Sequence, residues 1–263
     1  MTFTVDVLRY GVQQVPGAQA FHQSDFDRWL TFDFHVFLLR DGDTVVLLDS
    51  GMDDPAPLNT AISAGLGDHA CIHHLPSGGR VADLLAPHGL VPDDVDVVAL
   101  THLHDDHAGN VGLFPRARIA VGRRGWQAHL ERRSSHPGLV AAPAFGTAAM
   151  TELDAAAASG RLLLVDDGQD VVPGLSARTI GGHTDDSTAY VVDSTAGALV
   201  VPGDTIWTWE NLHRDVAVGS YVSLPQCMDA MAWARTAGDG LLPSHDPLIS
   251  QRYPGGRVDR AYA

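Results

Sequence analysis

The run Thr101-His102-Leu103-His104-Asp105-Asp106-His107-Ala108-Gly109-Asn110 constrains this chain more than any other stretch. It sets three imidazoles and two carboxylates into the six consecutive positions 102–107. Directly before it, Val95-Asp96-Val97-Val98-Ala99-Leu100 is β-branched and apolar and reads as a buried strand. Side chains alternate along extended backbone, so a strand that continues for a few residues projects His102 and His104 from one face. Gly109-Asn110 then turn easily, and the turn swings Asp106 and His107 beside the first two histidines. Neutral imidazole nitrogens and carboxylate oxygens are the ligands that borderline cations such as zinc prefer. The alternative is a solvated histidine-rich loop. Three histidines at this spacing, hard against a strand end, disfavour it.

His102-x-His104-x-Asp106-His107 resembles the H-x-H-x-D-H signature of the metallo-β-lactamase superfamily. The resemblance implies an α/β fold, an αββα sandwich of two mixed β-sheets between helical layers, and it directs attention to further strand ends. Leu175 to Ile180 runs into Gly181-Gly182-His183, Ala198 to Val201 into Pro202-Gly203-Asp204, and Gly240-Leu241-Leu242 into Pro243-Ser244-His245. Ligands carried on the ends of neighbouring strands can converge on one edge of a sheet. In families with this full set, one metal is held by residues matching His102, His104 and His183. A second is held by those matching Asp106, His107 and His245, and a carboxylate matching Asp204 bridges the two. The strand Thr44 to Leu48 ends in Asp49-Ser50-Gly51. In the family, the comparable Asp-x-Gly carboxylate sits behind the metal site, and the resemblance assigns that role to Asp49.

The implied cofactor is a pair of divalent cations, zinc by default for a His/Asp set, with iron, manganese or cobalt able to use the same ligands. A water bridging two metals loses a proton near neutral pH, which makes a nucleophile without a protein base. Asp106 and Asp204 are therefore the candidate catalytic carboxylates, Asp106 orienting the attacking group. No G-x-S-x-G elbow is present, so serine hydrolysis has no support.

Several features resemble the N-acyl homoserine lactonase branch of the superfamily: the length, His104 to Gly109, Gly203-Asp204, and Ser244-His245-Asp246 followed by Arg252-Tyr253-Pro254. Those lactonases commonly carry a tyrosine three residues after the bridging aspartate, where this chain has Trp207, and an indole cannot act as a phenol does. Trp207, Trp209 and Phe145 are candidates for an apolar substrate pocket, with plain core as the alternative. The expected function is a metal-dependent hydrolase of lactone or ester carbonyls. A thioester, β-lactam or other ester hydrolase of the same superfamily is the alternative, and a non-catalytic metal-binding protein a more distant one.

Apolar alternation places further strands over residues 5–10, 32–40, 119–121, 161–165 and 190–192, with Asp41-Gly42-Asp43 as a hairpin turn. Helices are expected from Arg80 to His88, stopped by Gly89, around Trp126 to Arg133, and from Pro225 to Ala237. Residues 11–23 and 52–80 read as irregular. The pattern suggests two halves, roughly 1–120 and 161–263, within one metallo-β-lactamase-like domain over 1–263. Residues 122–160 between them read either as a peripheral helical layer or as a helical and loop insertion over the active site.

Composition excludes partners more than it selects them. With 17 basic against 32 acidic residues the net charge is −15, and Lys and Arg nowhere cluster as a duplex-binding face requires. Acidity also disfavours anionic lipid, and no apolar run approaches membrane-spanning length. The two cysteines, Cys71 and Cys227, form no C-x-x-C pair, so a cysteine-rich zinc site is unsupported. The expectation is a soluble, cytoplasmic protein with a small-molecule substrate and no nucleic-acid or membrane partner. Nothing in the sequence selects or excludes a homodimer.

Overall fold

The computed structural model describes residues 1–66, 72–135 and 147–262. Two mixed sheets are stacked with helices flanking them, which is the αββα sandwich expected. Numbered along the chain, the seven-stranded sheet runs in the order β4 (Ile72–His74), β1 (Thr4–Pro16), β2 (Trp29–Asp41), β3 (Thr44–Leu48), β5 (Val97–Ala99), β6 (Arg118–Gly122), β7 (Leu162–Val165). The five-stranded sheet runs β12 (Gly240–Leu241), β11 (Gly197–Val201), β10 (Thr188–Ser194), β9 (Leu175–Thr179), β8 (Asp170–Val172). Hairpin neighbours pair antiparallel, whereas β3, β5, β6 and β7 pair parallel, as do β11 and β12.

The unbroken apolar runs of β3 and β5 follow from burial on both faces. Val46, Leu48, Val97 and Ala99 turn toward the second sheet and meet Leu175, Tyr190, Val192, Leu199 and Val201. Val45, Leu47, Val98 and Leu100 turn the other way, toward a helical layer that supplies Leu58, Val81, Leu85, Trp126, Met150 and Leu153. The helix Leu224–Ala234 brings Cys227, Met231 and Ala234 to the inter-sheet cluster. Among the described residues no helix is long and apolar enough to cross a membrane.

The structure departs from the pattern reading where tertiary partners override local signal. β1 does not end at residue 10. It pairs with β2 from Thr4↔Arg40 to Pro16↔Trp29, and a helical turn Gly17–Ala20 follows. The stretch 52–80 contains the helix Ala56–Leu66, whose Pro57 lies in the first turn where a missing N–H costs nothing, and the edge strand β4. Another helix, Trp209–Arg214, is closed by a capping box between Thr208 and Asn211. β7 pairs with β6, so the second half of the chain contributes a strand to the first sheet and the two halves do not coincide with the two sheets. Helices Arg123–Ser135 and Thr147–Ala158 belong to the layer against the first sheet. Residues 136–146, with Leu139, Val140 and Phe145, lie outside the described residues, as does Cys71.

β2 also buries His35, whose Nδ1 donates to the Ser244 carbonyl at 3.1 Å. Burial pushes its pKa down to about 4, the nearby Asp33 charge offsetting this only in part. Unfolded, the ring titrates near 6.5, so between these values the unfolded chain binds a proton that the folded chain does not. This stability is present above pH ~6.5 and is lost as pH falls toward 4, up to ~3 kcal/mol. Urea unfolding from pH 7 to 4 should show a slope shallower by one proton in His35→Gln than in the parent. Parallel slopes would contradict this.

Candidate metal centre

The ends of β3, β5, β9, β11 and β12 converge on one edge of the sandwich, and each delivers a polar side chain there. β5 stops at Ala99, and Leu100 to His104 leave strand conformation. His104 (φ −67°, ψ 155°) precedes a short helix, Asp105–Ala108, with Ala108 N–H donating to the His104 carbonyl at 2.8 Å. That helical turn, and not Gly109-Asn110, carries Asp106 and His107 back beside His102.

Two ligand groups result. His102, His104 and His183 form one; Asp106, His107, Asp204 and His245 form the other; within each, the potential ligand atoms lie within 4.8 Å of one another. In the first group, His104 Nδ1 lies 3.0 Å from both His102 Nε2 and His183 Nε2. In the second, Asp204 Oδ1 lies 3.0 Å from His107 Nε2 and 2.9 Å from His245 Nε2. Asp106 Oδ2 is 3.4 Å from His107 Nε2 and 3.7 Å from His245 Nε2. The other Asp204 oxygen, Oδ2, faces the first group, 3.7 Å from His183 Nε2 and 4.0 Å from His102 Nε2.

The far side of the rings fixes their tautomers. His183 Nδ1 donates to the Ser220 carbonyl at 2.6 Å and His245 Nδ1 to the Asp33 carbonyl at 2.9 Å. A carbonyl only accepts, so the proton sits on Nδ1 and Nε2 keeps its lone pair for the centre. His107 Nδ1 is held the same way by Asp49 Oδ2 at 2.8 Å. Asp49 also accepts from the Thr101 N–H at 2.7 Å and from the Thr101 hydroxyl, which contacts His102 Nδ1 at 3.1 Å. Asp49 reaches these partners from a left-handed backbone, φ 63°, a conformation costly for a residue with a Cβ. Tyr10 Oη donates to the Asp106 carbonyl.

Two observations make the donor set fit divalent cations. First, His107 Nε2 and His245 Nε2 are buried without a hydrogen-bond partner, although both approach Asp204 Oδ1 closely. Close nitrogen and oxygen atoms that are not aligned for a hydrogen bond are what ligands aimed at a common point look like. Second, Asp49, Asp106 and Asp204 gather here, and among the described residues their ion-pair partners are all histidines. Burial pushes His102 well down and His104 to about 3, so both rings are neutral, the form able to coordinate a cation. Burial opposes charge on His107 as well, yet Asp204, Asp106 and Asp49 outweigh it and raise its pKa. Asp204 is held well below the ordinary range, against burial, by charge on His245 and His107. Without a cation, protons supply the positive charge that these carboxylates demand, and metal uptake displaces them.

Trp207 is 3% exposed and lies in the inter-sheet core, edge-on to His245 with ring centroids 5.2 Å apart and packed against Phe32. Trp209 is core too, stacked under Arg252. Sequence reasoning missed the Ser220 and Asp33 carbonyls, Thr101, Ser244 and Tyr10. The carbonyls carry no residue-type signal at all; Thr101 and Ser244 each adjoin a candidate ligand in sequence, and Tyr10 does not.

A family model described as the metallo-beta-lactamase superfamily matches residues 35–252. The chain is 24% identical over 187 residues to the N-acyl homoserine lactonase AiiA of Bacillus thuringiensis subsp. kurstaki, covering 70% of this chain and 68% of that protein. Among solved structures it superposes on an N-acyl homoserine lactone hydrolase with the product N-hexanoyl-L-homoserine bound at its catalytic metal centre. There the TM-score is 0.76, the identity 18%, and the coverage 96% of this chain and 97% of the other. AidC, a dizinc quorum-quenching lactonase in complex with its product, gives a TM-score of 0.66 at 15% identity, covering 98% and 95%. Matched by the family model across most of its length, and built on the fold of these neighbours, the chain belongs to the metallo-beta-lactamase superfamily.

Proposed function

We propose that this protein is a two-cation hydrolase that opens the carbonyl of a lactone or simple ester. One cation would be held by His102, His104 and His183 and a second by Asp106, His107 and His245, with Asp204 facing both groups. The observation that carries this reading is the division of the Asp204 carboxylate, Oδ1 turned to one ligand group and Oδ2 to the other. A pair of divalent cations held there would supply an acidified water as nucleophile and a polarised acyl carbonyl. Zinc suits the His/Asp set, and the AidC structure is described as dizinc.

The chain's own residues do the rest. The carbonyls of Ser220 and Asp33 and the carboxylate of Asp49 keep the imidazoles aimed and in the ligating tautomer, so no reorganisation is needed as charge develops. Asp106, with its side chain 14% exposed, is the most open of these carboxylates. Against burial, charge on His107 holds the Asp106 carboxyl well below the ordinary range, so it stays ionised and orients the attacking water by accepting its hydrogen bond, while the proton that water loses ends on the leaving oxygen as the acyl C–O bond breaks. The lactonase relatives supply the substrate class. Trp207 lends the site no hydroxyl and bears on it through its edge-on packing against His245.

Elemental analysis of purified protein should find close to two divalent ions per chain, and exhaustive chelation should abolish turnover that zinc or cobalt restores. One ion at most after metal supplementation contradicts the reading. His104→Ala and Asp204→Ala should each lower kcat/KM by more than the ~100-fold that loss of an outer-sphere contact reaches, with the circular dichroism spectrum unchanged. Near-parental turnover at full metal content would remove that residue from the site. Trp207→Tyr should raise homoserine-lactone turnover relative to an aryl ester. An unchanged ratio shows that the indole does not set this preference.

A further inference from the structure

The Asp204 carboxylate can rotate about its Cβ–Cγ bond, so facing two ligand groups at once requires a contact that sets its plane. The imidazole nitrogens around it approach at 2.9 to 4.0 Å, but His107 Nε2 and His245 Nε2 make no hydrogen bond. Among the described residues, the hydrogen bond that this carboxylate accepts comes from Ser244 Oγ, 2.8 Å from Oδ1. Ser244 is 2% exposed, and among the described residues its other acceptor, the Gly203 carbonyl, is more distant at 3.3 Å.

We propose that Ser244 is a positioning residue that fixes the rotation of Asp204 and thereby sets the affinity of the second cation position, Asp106–His107–His245. This rests on the two-cation reading. The donor is itself clamped. The Ser244 carbonyl accepts from His35 Nδ1, the adjacent His245 carbonyl accepts from the Asp33 N–H at 3.2 Å, and His245 Nδ1 returns a bond to the Asp33 carbonyl. Arg9 Nε holds the Asp33 carboxylate at 2.8 Å. β2 therefore holds the Ser244-His245 backbone that carries the hydroxyl, and the buried hydroxyl bonds Asp204 Oδ1 from that fixed point.

The two positions depend on Asp204 unequally. The first group has three imidazoles of its own, and Oδ2 stands 3.7 to 4.0 Å from the two whose distances define its approach. The second has two imidazoles and Asp106, and Oδ1 stands at 2.9 to 3.0 Å from both rings. Releasing Oδ1 therefore unsettles the second position before the first. Removing such an outer contact characteristically costs about 10- to 100-fold in metal affinity.

The test is a cobalt(II) titration of the metal-free full chain, followed by d–d absorption and equilibrium dialysis, in the parent, Ser244→Ala, Ser244→Val and Ser244→Thr. Valine and threonine share a shape and differ in the hydroxyl, so the pair separates hydrogen bonding from packing. Expected is an unchanged first association in all four. The second should be about 10- to 100-fold weaker, with an altered band, in the alanine and valine variants, and restored by threonine. Parental second-site affinity in the alanine or valine variant overturns the proposal, as does equal weakening of both associations, or a threonine variant that behaves like valine. Uptake of fewer than two cobalt ions by the parent would instead defeat the two-cation reading itself.

Discussion

Burying carboxylates without a lysine or arginine beside them is the constraint to which the rest of this structure responds. Asp49, Asp106 and Asp204 meet only imidazoles among their described ion-pair partners, and a buried charge is costly unless paired or bound to a cation. The fold meets that cost with position. Five strand ends deliver the donors to one edge, and backbone carbonyls hold the outer nitrogens of His183 and His245. Asp49 accepts a left-handed backbone to join Thr101 to His107. The strain and the charge lie at the same place, as they do where a site is preorganised.

The same economy explains the sandwich. Ligands on separate strands stay in register only if the strands are rigid, and β3 and β5 are rigid because both faces are buried. Gly203 illustrates how closely the pieces fit. It adopts φ +54°, and a Cβ there would come 2.7 Å from the Thr101 side chain, the residue that joins Asp49 to His102. A glycine before Asp204 is thus a packing requirement as well as a turn.

Much of this was legible in the residues. The period-2 and continuous apolar runs mark β3, β5, β6, β9 and β11, and the composition of 102–107 marks a candidate cation site. What could not be read was set by partners distant in sequence. β1 is long because β2 is there to pair with it, and β7 joins the first sheet because β6 offers an edge. The turn that returns Asp106 and His107 is helical although its sequence suggested a Gly-Asn turn. The carbonyls of Asp33 and Ser220 are backbone atoms, present at every position, so no residue type could point to them. Trp207 was recognisable as a departure from the lactonase pattern, but its burial against Phe32 and His245 was not.

The central claim is spatial: two cations, on either side of one carboxylate. Anomalous diffraction at the zinc edge, from crystals grown with zinc, addresses it directly. The account predicts two peaks, one enclosed by His102, His104 and His183 and one by Asp106, His107 and His245, with an Asp204 oxygen directed at each. A single peak, or a second peak that none of these side chains contacts, would contradict it.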